Sequence, residues 1–299
     1  MVDPGSHILV TGGTGFIGAS LVQSLLQAGH HVTIFTRQTI SDTENCRYVG
    51  SLESIPEDAD FSAVVNLAGE SLADRRWTRK YKQKISDSRF GTTKALVALL
   101  QRLQEKPAAM LSASAIGYYG HQGDAPLSED SEVVPGFAQH LCHQWESLAC
   151  DAEALGIRVC RLRLGVVLDR GGGAMDQMRR PFDFGLANWL GTGRQWLSWV
   201  HRQDVIRAIQ FLLSREDLSG PFNITAPEPV SSRGFCIAMK RHKRTLITLP
   251  VPGFALRLLV GEMAEELLLN GQRVVPTALQ KAGFEFQYPQ LDMALENIL

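Results

Sequence analysis

Ile8-Leu9-Val10-Thr11-Gly12-Gly13-Thr14-Gly15-Phe16-Ile17-Gly18 decides the fold. Residues 8–11 are a short apolar, β-branched run, the composition of a buried strand. Gly12, Gly15 and Gly18 then repeat at G-x-x-G-x-x-G spacing. Residues 16–28 place Ile17, Leu21, Leu25 and Ala28 on one helical face, and Gly29 offers a stop. Residues 31–37 return to strand character, so the unit reads strand, tight turn, helix, strand over about 30 residues, as a βαβ unit does. A strand that turns sharply into a helix needs positive φ or an absent side chain. The missing Cβ also lets backbone N–H groups and the helix N-terminus approach a pyrophosphate. A glycine pattern alone is a weak signal, but this one sits between a strand and a helix in the first βαβ unit, the context a dinucleotide site requires. Gly12, Thr14, Gly15, Phe16, Ile17 and Gly18 are the expected contacts, with Gly18 also letting the helix pack closely on the strand.

The second strand ends in Thr36-Arg37. An NAD site usually carries Asp or Glu there, bonded to the ribose 2′-hydroxyl, whereas an arginine can pair with a 2′-phosphate. Thr36 and Arg37 therefore point to NADP(H) as the cofactor.

Outward from this unit, residues 63–67, 109–115 and 158–167 read as further strands, alternating with helices over 80–103 and 137–155. That alternation implies an α/β fold, a Rossmann doubly wound parallel sheet covered by helices on both faces. After Val167 the texture changes. Gly171, Gly172, Gly173, Pro181, Gly185, Gly191 and Gly193 suggest loops and short elements, the usual material of a substrate-facing lobe. A helix over 205–213 and a strand over 221–224 follow. Near the end, Pro276-Thr277 starts a short helix that Gly283 ends, residues 284–286 suit a strand, and Leu291, Ala294, Leu295 and Ile298 share a helical face. The expected division is a Rossmann domain over 8–170, with 200–226 packing back onto it, and a smaller C-terminal substrate lobe from 171–199 and 227–299.

Composition sets the outer bounds. Of 299 residues 44 % are hydrophobic, too many for a mainly disordered chain. The net charge is -1, which argues against a polyanion binder on charge alone. No apolar run approaches the roughly 18 residues of a membrane span. Five cysteines without a CxxC pair suggest neither a disulfide framework nor a zinc knuckle, and a cytoplasmic location is expected. Residues 1–6 read as a short unstructured leader without signal-peptide character. Arg75, Arg76, Arg79, Lys80, Lys82 and Lys84 surround Trp77 and Tyr81. They read as a solvated helix start, with a small anion favoured over nucleic acid as any ligand. Residues 240–244 read as a basic helix C-terminus. The expected partner is a small-molecule substrate, with no nucleic acid and no membrane; a homodimer is left open.

The glycine turn, Asn66-Leu67-Ala68-Gly69, and Trp199-Val200-His201-Arg202-Gln203-Asp204-Val205 occur in this order and together resemble extended short-chain dehydrogenases/reductases, which include sugar-nucleotide epimerases. Ala115-Ile116-Gly117-Tyr118-Tyr119-Gly120, Trp145-Glu146, Leu164-Gly165-Val166-Val167-Leu168 and Gly271-Gln272-Arg273-Val274-Val275-Pro276 narrow the likeness. They resemble one atypical branch, the epimerase family proteins of short-chain dehydrogenase/reductase family 39U, which carries its own C-terminal module. The resemblance covers residues 8–299 and implies the fold, NADP(H) binding and redox activity. It implies that Leu67, Ala68 and Gly69 pass under the adenosine side of the cofactor and that Glu70 touches a ribose. It also places Trp199 and His201 beside the substrate, where a histidine suits a proton relay, although a hydrogen-bonded structural histidine is the more usual role.

The same family normally uses Tyr-x-x-x-Lys on a helix, with a nearby serine on the substrate oxygen. If Glu146 is the glutamate that extended members carry four residues after that lysine, Cys142 stands in the lysine's place and Ala138 in the tyrosine's. Neither can do the usual work. The substitutes are Ser114, at the end of the strand 109–115, and Tyr118 and Tyr119, just beyond it. His140, Cys142, His143 and Glu146 make no convincing metal site, because no distant fourth ligand is evident. The expected function is an NADP(H)-dependent oxidoreductase or epimerase acting on a small polar or sugar-nucleotide-like substrate. Its rival is a non-catalytic NADP(H)-binding or sensing protein, which the loss of both Tyr and Lys favours.

Overall fold

Seven short strands form one parallel sheet at the centre of the computed structural model, which describes residues 5–72 and 75–299. In chain order they are β1 (His7–Thr11), β2 (His31–Phe35), β3 (Cys46–Val49), β4 (Ala63–Asn66), β5 (Ala109–Ala115), β6 (Arg158–Leu164) and β7 (Gly220–Ile224). Across the sheet the order is β7-β6-β5-β4-β1-β2-β3, with every neighbour parallel. The order reverses between β1 and β4, so a crevice opens at their carboxyl ends, where doubly wound sheets bind ligands.

Strand alternation explains the two layers of core. Ile8 and Val10 face one side of β1 with Val32, Ile34, Val65 and Leu111, while Leu9 faces the other with Val64, Met110 and Val159. Helices α1 (Gly18–Gln27) and α5 (Arg202–Ser214) cover the first side through Leu21, Leu25, Ile206 and Ile209. Helix α2 (Arg79–Arg102) covers the second through Leu96 and Leu100. Each such fully buried side chain contributes roughly 1.5–3 kcal/mol relative to exposure. Helix α3 (Phe137–Cys150) runs beside α2, and its expected continuation to residue 155 is a 3-10 turn, Asp151–Leu155.

The glycine-rich region after residue 170 is more regular than expected. Helix α4 (Gly173–Asp183) forms there, with Pro181 tolerated in its last turn, and Leu186–Leu190 pairs in parallel with Ile247–Val251. Helices α6 (Ser232–His242), α7 (Gly253–Val260), α8 (Thr277–Lys281) and α9 (Leu291–Ile298) complete the chain. Met175, Phe182, Phe235 and Met239 pack with the expected face of α9 into a separate core, whereas Leu279 and Phe284 join the core of the sheet.

Four further expectations change. Cys46–Val49 is a sheet-edge strand that the sequence reading does not contain. Residues 284–286 are extended but pair with no strand; Phe284 packs instead against the rings of Phe211 and Phe286. The strand over 158–167 breaks at Gly165. Val166–Leu168 leaves the sheet there to pair with Trp199–His201, and a Cβ on Gly165 would lie 2.6 Å from the Ser198 carbonyl oxygen. The leader joins the fold early: Gly5 N donates to Gly29 O and His31 N to Ser6 O, while residues 1–4 lie outside the described part.

Candidate active site

At the carboxyl end of β1 the chain turns through Gly12, whose φ is +69°. A Cβ on Gly12 would lie 2.6 Å from the Leu67 carbonyl oxygen, and one on Gly18 would lie 2.1 Å from the Gly12 carbonyl oxygen. The turn, the start of α1 and the segment after β4 therefore fit together only without side chains at these two positions. Gly15 N closes the turn onto Gly12 O at 3.0 Å, and Thr14 and Gly15 are left exposed. Phe16 lies under the Arg202 guanidinium, 4.5 Å from ring centroid to Cζ, and against Gly172 and Gly173.

A buried polar ladder holds these strand ends in register. Thr11 Oγ1 donates to Asn66 Oδ1 at 2.7 Å and accepts from Ala68 N at 3.2 Å. Asn66 Nδ2 donates to Thr93 Oγ1 and Ser112 Oγ, both at 3.0 Å, and Trp145 Nε1 donates to the same threonine. Each side-chain polar atom of Asn66 is thus matched in a low-dielectric setting, which keeps Leu67, Ala68 and Gly69 beside Gly12. At the end of β2, Thr36 is buried, while Arg37 is exposed and bonds to none of the described residues. Glu70 pairs with Lys84 at 2.6 Å.

Between the sheet and the lobe lies a cavity of about 680 Å³. Leu67, Gly69, Ser114 and Cys142 line it from the sheet side, and Trp189 and Trp196 from the lobe. Ala138 and Cys142, one turn apart on α3, both face it, so the usual tyrosine and lysine positions present a methyl and a thiol. Burial, aided by the charge of Glu146, pushes that thiol up to about 11, which leaves it neutral at physiological pH.

Of the three catalytic candidates, Ser114 lines the cavity. Its hydroxyl donates to Glu146 Oε1 at 2.7 Å. Arg163 closes on the same carboxylate from Nε at 2.9 Å and Nη2 at 3.0 Å, a bidentate pair with both residues buried. Although burial opposes its charge, Glu146 and Tyr119 hold the Arg163 guanidinium protonated above its ordinary range.

Tyr118 and Tyr119 do not line the cavity. Tyr119 is fully buried; its hydroxyl donates to Asn223 Oδ1 at 2.6 Å and accepts from Arg163 at 2.9 Å. Burial pushes its phenol up to about 12. Tyr118 covers the Arg163 guanidinium, 3.5 Å from ring centroid to Cζ. The two tyrosines thus back the Glu146–Arg163 pair from behind. Trp199 and His201 are also absent from the cavity wall. Trp199 is a core residue that donates to Glu228 O. His201 caps α5: Nδ1 accepts from Gln203 N, so the ring proton sits on Nε2 against Asn297 Oδ1 at 3.2 Å, and the ring stacks on Tyr288. Burial lowers its pKa, which suits a neutral cap.

Sequence reasoning missed Arg89. It is buried on α2, beside Gly69, where a Cβ would lie 3.1 Å from its Cζ, and its guanidinium lies 5.1 Å from the Trp145 ring. Nη1 bonds the Ile85 carbonyl, no carboxylate pairs with it among the described residues, and burial lowers its pKa. The signal was available: Ile85, Arg89, Thr93, Leu96 and Leu100 fall on one helical stripe, which puts a charge on a buried face.

A doubly wound parallel sheet with a glycine turn at its switch point, and a serine at the end of β5 facing a cavity, defines a Rossmann protein of the short-chain dehydrogenase/reductase kind. The chain belongs to the NAD dependent epimerase/dehydratase family, whose model matches residues 8–225. A domain of unknown function, DUF1731, matches residues 251–298. An epimerase family protein of Staphylococcus saprophyticus is 40 % identical over 299 residues, covering 98 % of this chain and 99 % of that one. The crystal structure of human epimerase family protein SDR39U1 (isoform 2) with NADPH superposes with a TM-score of 0.88 at 30 % identity, covering 98 % of both chains. MoeE5, solved with UDP-glucuronic acid and NAD, shares the fold at a TM-score of 0.74 and 23 % identity, covering 98 % of this chain and 97 % of that one. Among the described residues, no helix is long and apolar enough to cross a membrane, and no group of three or more His, Cys, Asp or Glu could hold a metal ion.

Proposed function

We propose that this protein is an NADP(H)-dependent oxidoreductase or epimerase in which Ser114, set by Glu146 and Arg163, handles the substrate's proton. The observation that carries the reading is a serine hydroxyl on the cavity wall that already donates to a buried, arginine-held carboxylate. The glycine cradle and the unpartnered Arg37 fit a dinucleotide with a 2′-phosphate. The human relative solved with NADPH supports the same choice. Five free cysteines agree with a cytoplasmic setting.

When bound, the nicotinamide supplies or accepts a hydride. The Ser114 proton points to Glu146 and the neutral Cys142 thiol bonds the same hydroxyl, which leaves one Oγ lone pair for a substrate hydroxyl. Ser114 can then accept that proton while passing its own to Glu146, and the sequence reverses for carbonyl reduction. Arg163 keeps the carboxylate in place, and the two tyrosines position Arg163. Arg89 supplies positive charge beside Gly69, from α2 rather than from the α3 position where lysine is missing.

Two results test this. Arg37→Ala should weaken NADPH binding about tenfold to a hundredfold by calorimetry and leave NADH unchanged; equal losses for both cofactors would reject the 2′-phosphate contact. Ser114→Ala should lower kcat about a hundredfold with NADPH affinity retained. An unchanged kcat would remove Ser114 from the chemistry. The second reading, a non-catalytic NADP(H) sensor, draws on Ala138 and Cys142. Tight NADPH binding without turnover across sugar nucleotides and small carbonyl compounds would favour it.

A further inference from the structure

The cavity wall changes character along its length. On the sheet side it offers Ser114 and the Arg89 guanidinium, whereas Met178, Phe182, Trp189, Trp196, Leu197 and Phe235 build the lobe side. Among the described residues that line it, Arg89 is the one cation and Glu266 the one carboxylate. Arg233 and Arg273 lie over the rings of Trp189 and Trp196, at 5.4 and 4.7 Å from the centroids, and do not line the cavity. The first amides of α6 are also taken: Ser232 N donates to Gln195 O, Arg233 N to Gly193 O and Gly234 N to Ser231 Oγ. The Phe16 ring packs against the start of α4 at Gly173. A diphosphate on this side would lose its hydration with no ionic partner, a prohibitive exchange in an apolar site.

We propose that the lobe side of the cavity binds an uncharged, largely apolar cyclic alcohol or ketone, and not a nucleoside diphosphate sugar. The indoles of Trp189 and Trp196 supply flat apolar area, and Ser114 meets the reactive oxygen. This inference rests on the cofactor and Ser114 reading above.

Calorimetry on the full chain tests it with two probes: 1-tetralone and UDP-glucose. NADPH is titrated first, and its failure to bind strikes the cofactor reading alone, because the probe titrations are run both with and without it. 1-Tetralone should bind saturably, and UDP-glucose about tenfold more weakly or worse. Trp196→Ala should weaken 1-tetralone about tenfold. Tighter binding of UDP-glucose, or no saturable binding of 1-tetralone, would overturn the inference.

Discussion

Glu146→Leu should cost about 3–5 kcal/mol of folding stability, read as a lower urea midpoint with an unchanged slope. The carboxylate is buried and holds Arg163 through two hydrogen bonds while also accepting from Ser114. Removing it leaves the buried Arg163 guanidinium with the Tyr119 hydroxyl and the Glu129 carbonyl as its hydrogen-bond partners among the described residues, and the Tyr118 ring over it. An uncompensated buried charge is far more costly than the pair itself is stabilising, so the double variant Glu146→Leu/Arg163→Met should recover much of the loss. If the double variant is as unstable as the sum of the singles, the two residues are not coupled and the account of the site is wrong.

The second large effect falls on the cradle. A Cβ at Gly18 would stand 2.1 Å from a backbone oxygen that has no room to yield. Gly18→Ala should therefore push α1 off β1, lowering stability by roughly 1–3 kcal/mol, and should weaken NADPH binding at least about a hundredfold. Gly91→Ala is the control, because its Cβ meets nothing and it lies within α2. That change should stabilise by about 0.5–1 kcal/mol and leave NADPH binding untouched. Retained affinity in Gly18→Ala would separate the cradle from the cofactor.

Local chemistry explains what the sequence disclosed. Gly12 and Gly18 were legible because one backbone geometry excludes all other residues there. Ala109–Ala115 was legible because a continuous run of small and apolar residues suits a strand buried on both faces. Cys46–Val49 was not, since an edge strand carries an exposed Arg47 and offers no clear alternation. Ser114 could be placed at a strand end from sequence alone, but its partners Glu146 and Arg163 lie 32 and 49 positions away, and only the fold joins them. The segment from Trp199 to Val205 is placed beside the substrate by the resemblance alone; pairing with Val166–Leu168 buries Trp199, and His201 takes the hydrogen-bonded structural role of a helix cap. Arg89 was hidden by the polar composition of α2, although its stripe position marked it.

The ladder that joins Thr11, Asn66, Thr93, Ser112 and Trp145 has a consequence in time. Its members span almost half of the 299 residues, and it closes only when the last of them arrives. During synthesis β1 and its glycine turn precede the other members; β2 follows soon and pairs with one edge of β1, but β4, on the other edge, comes later, and the indole that completes the ladder follows 134 residues after Thr11 (145 less 11). The nascent glycine turn, held on one side only, must therefore wait for partners made much later, as parallel sheets with distant contacts generally require.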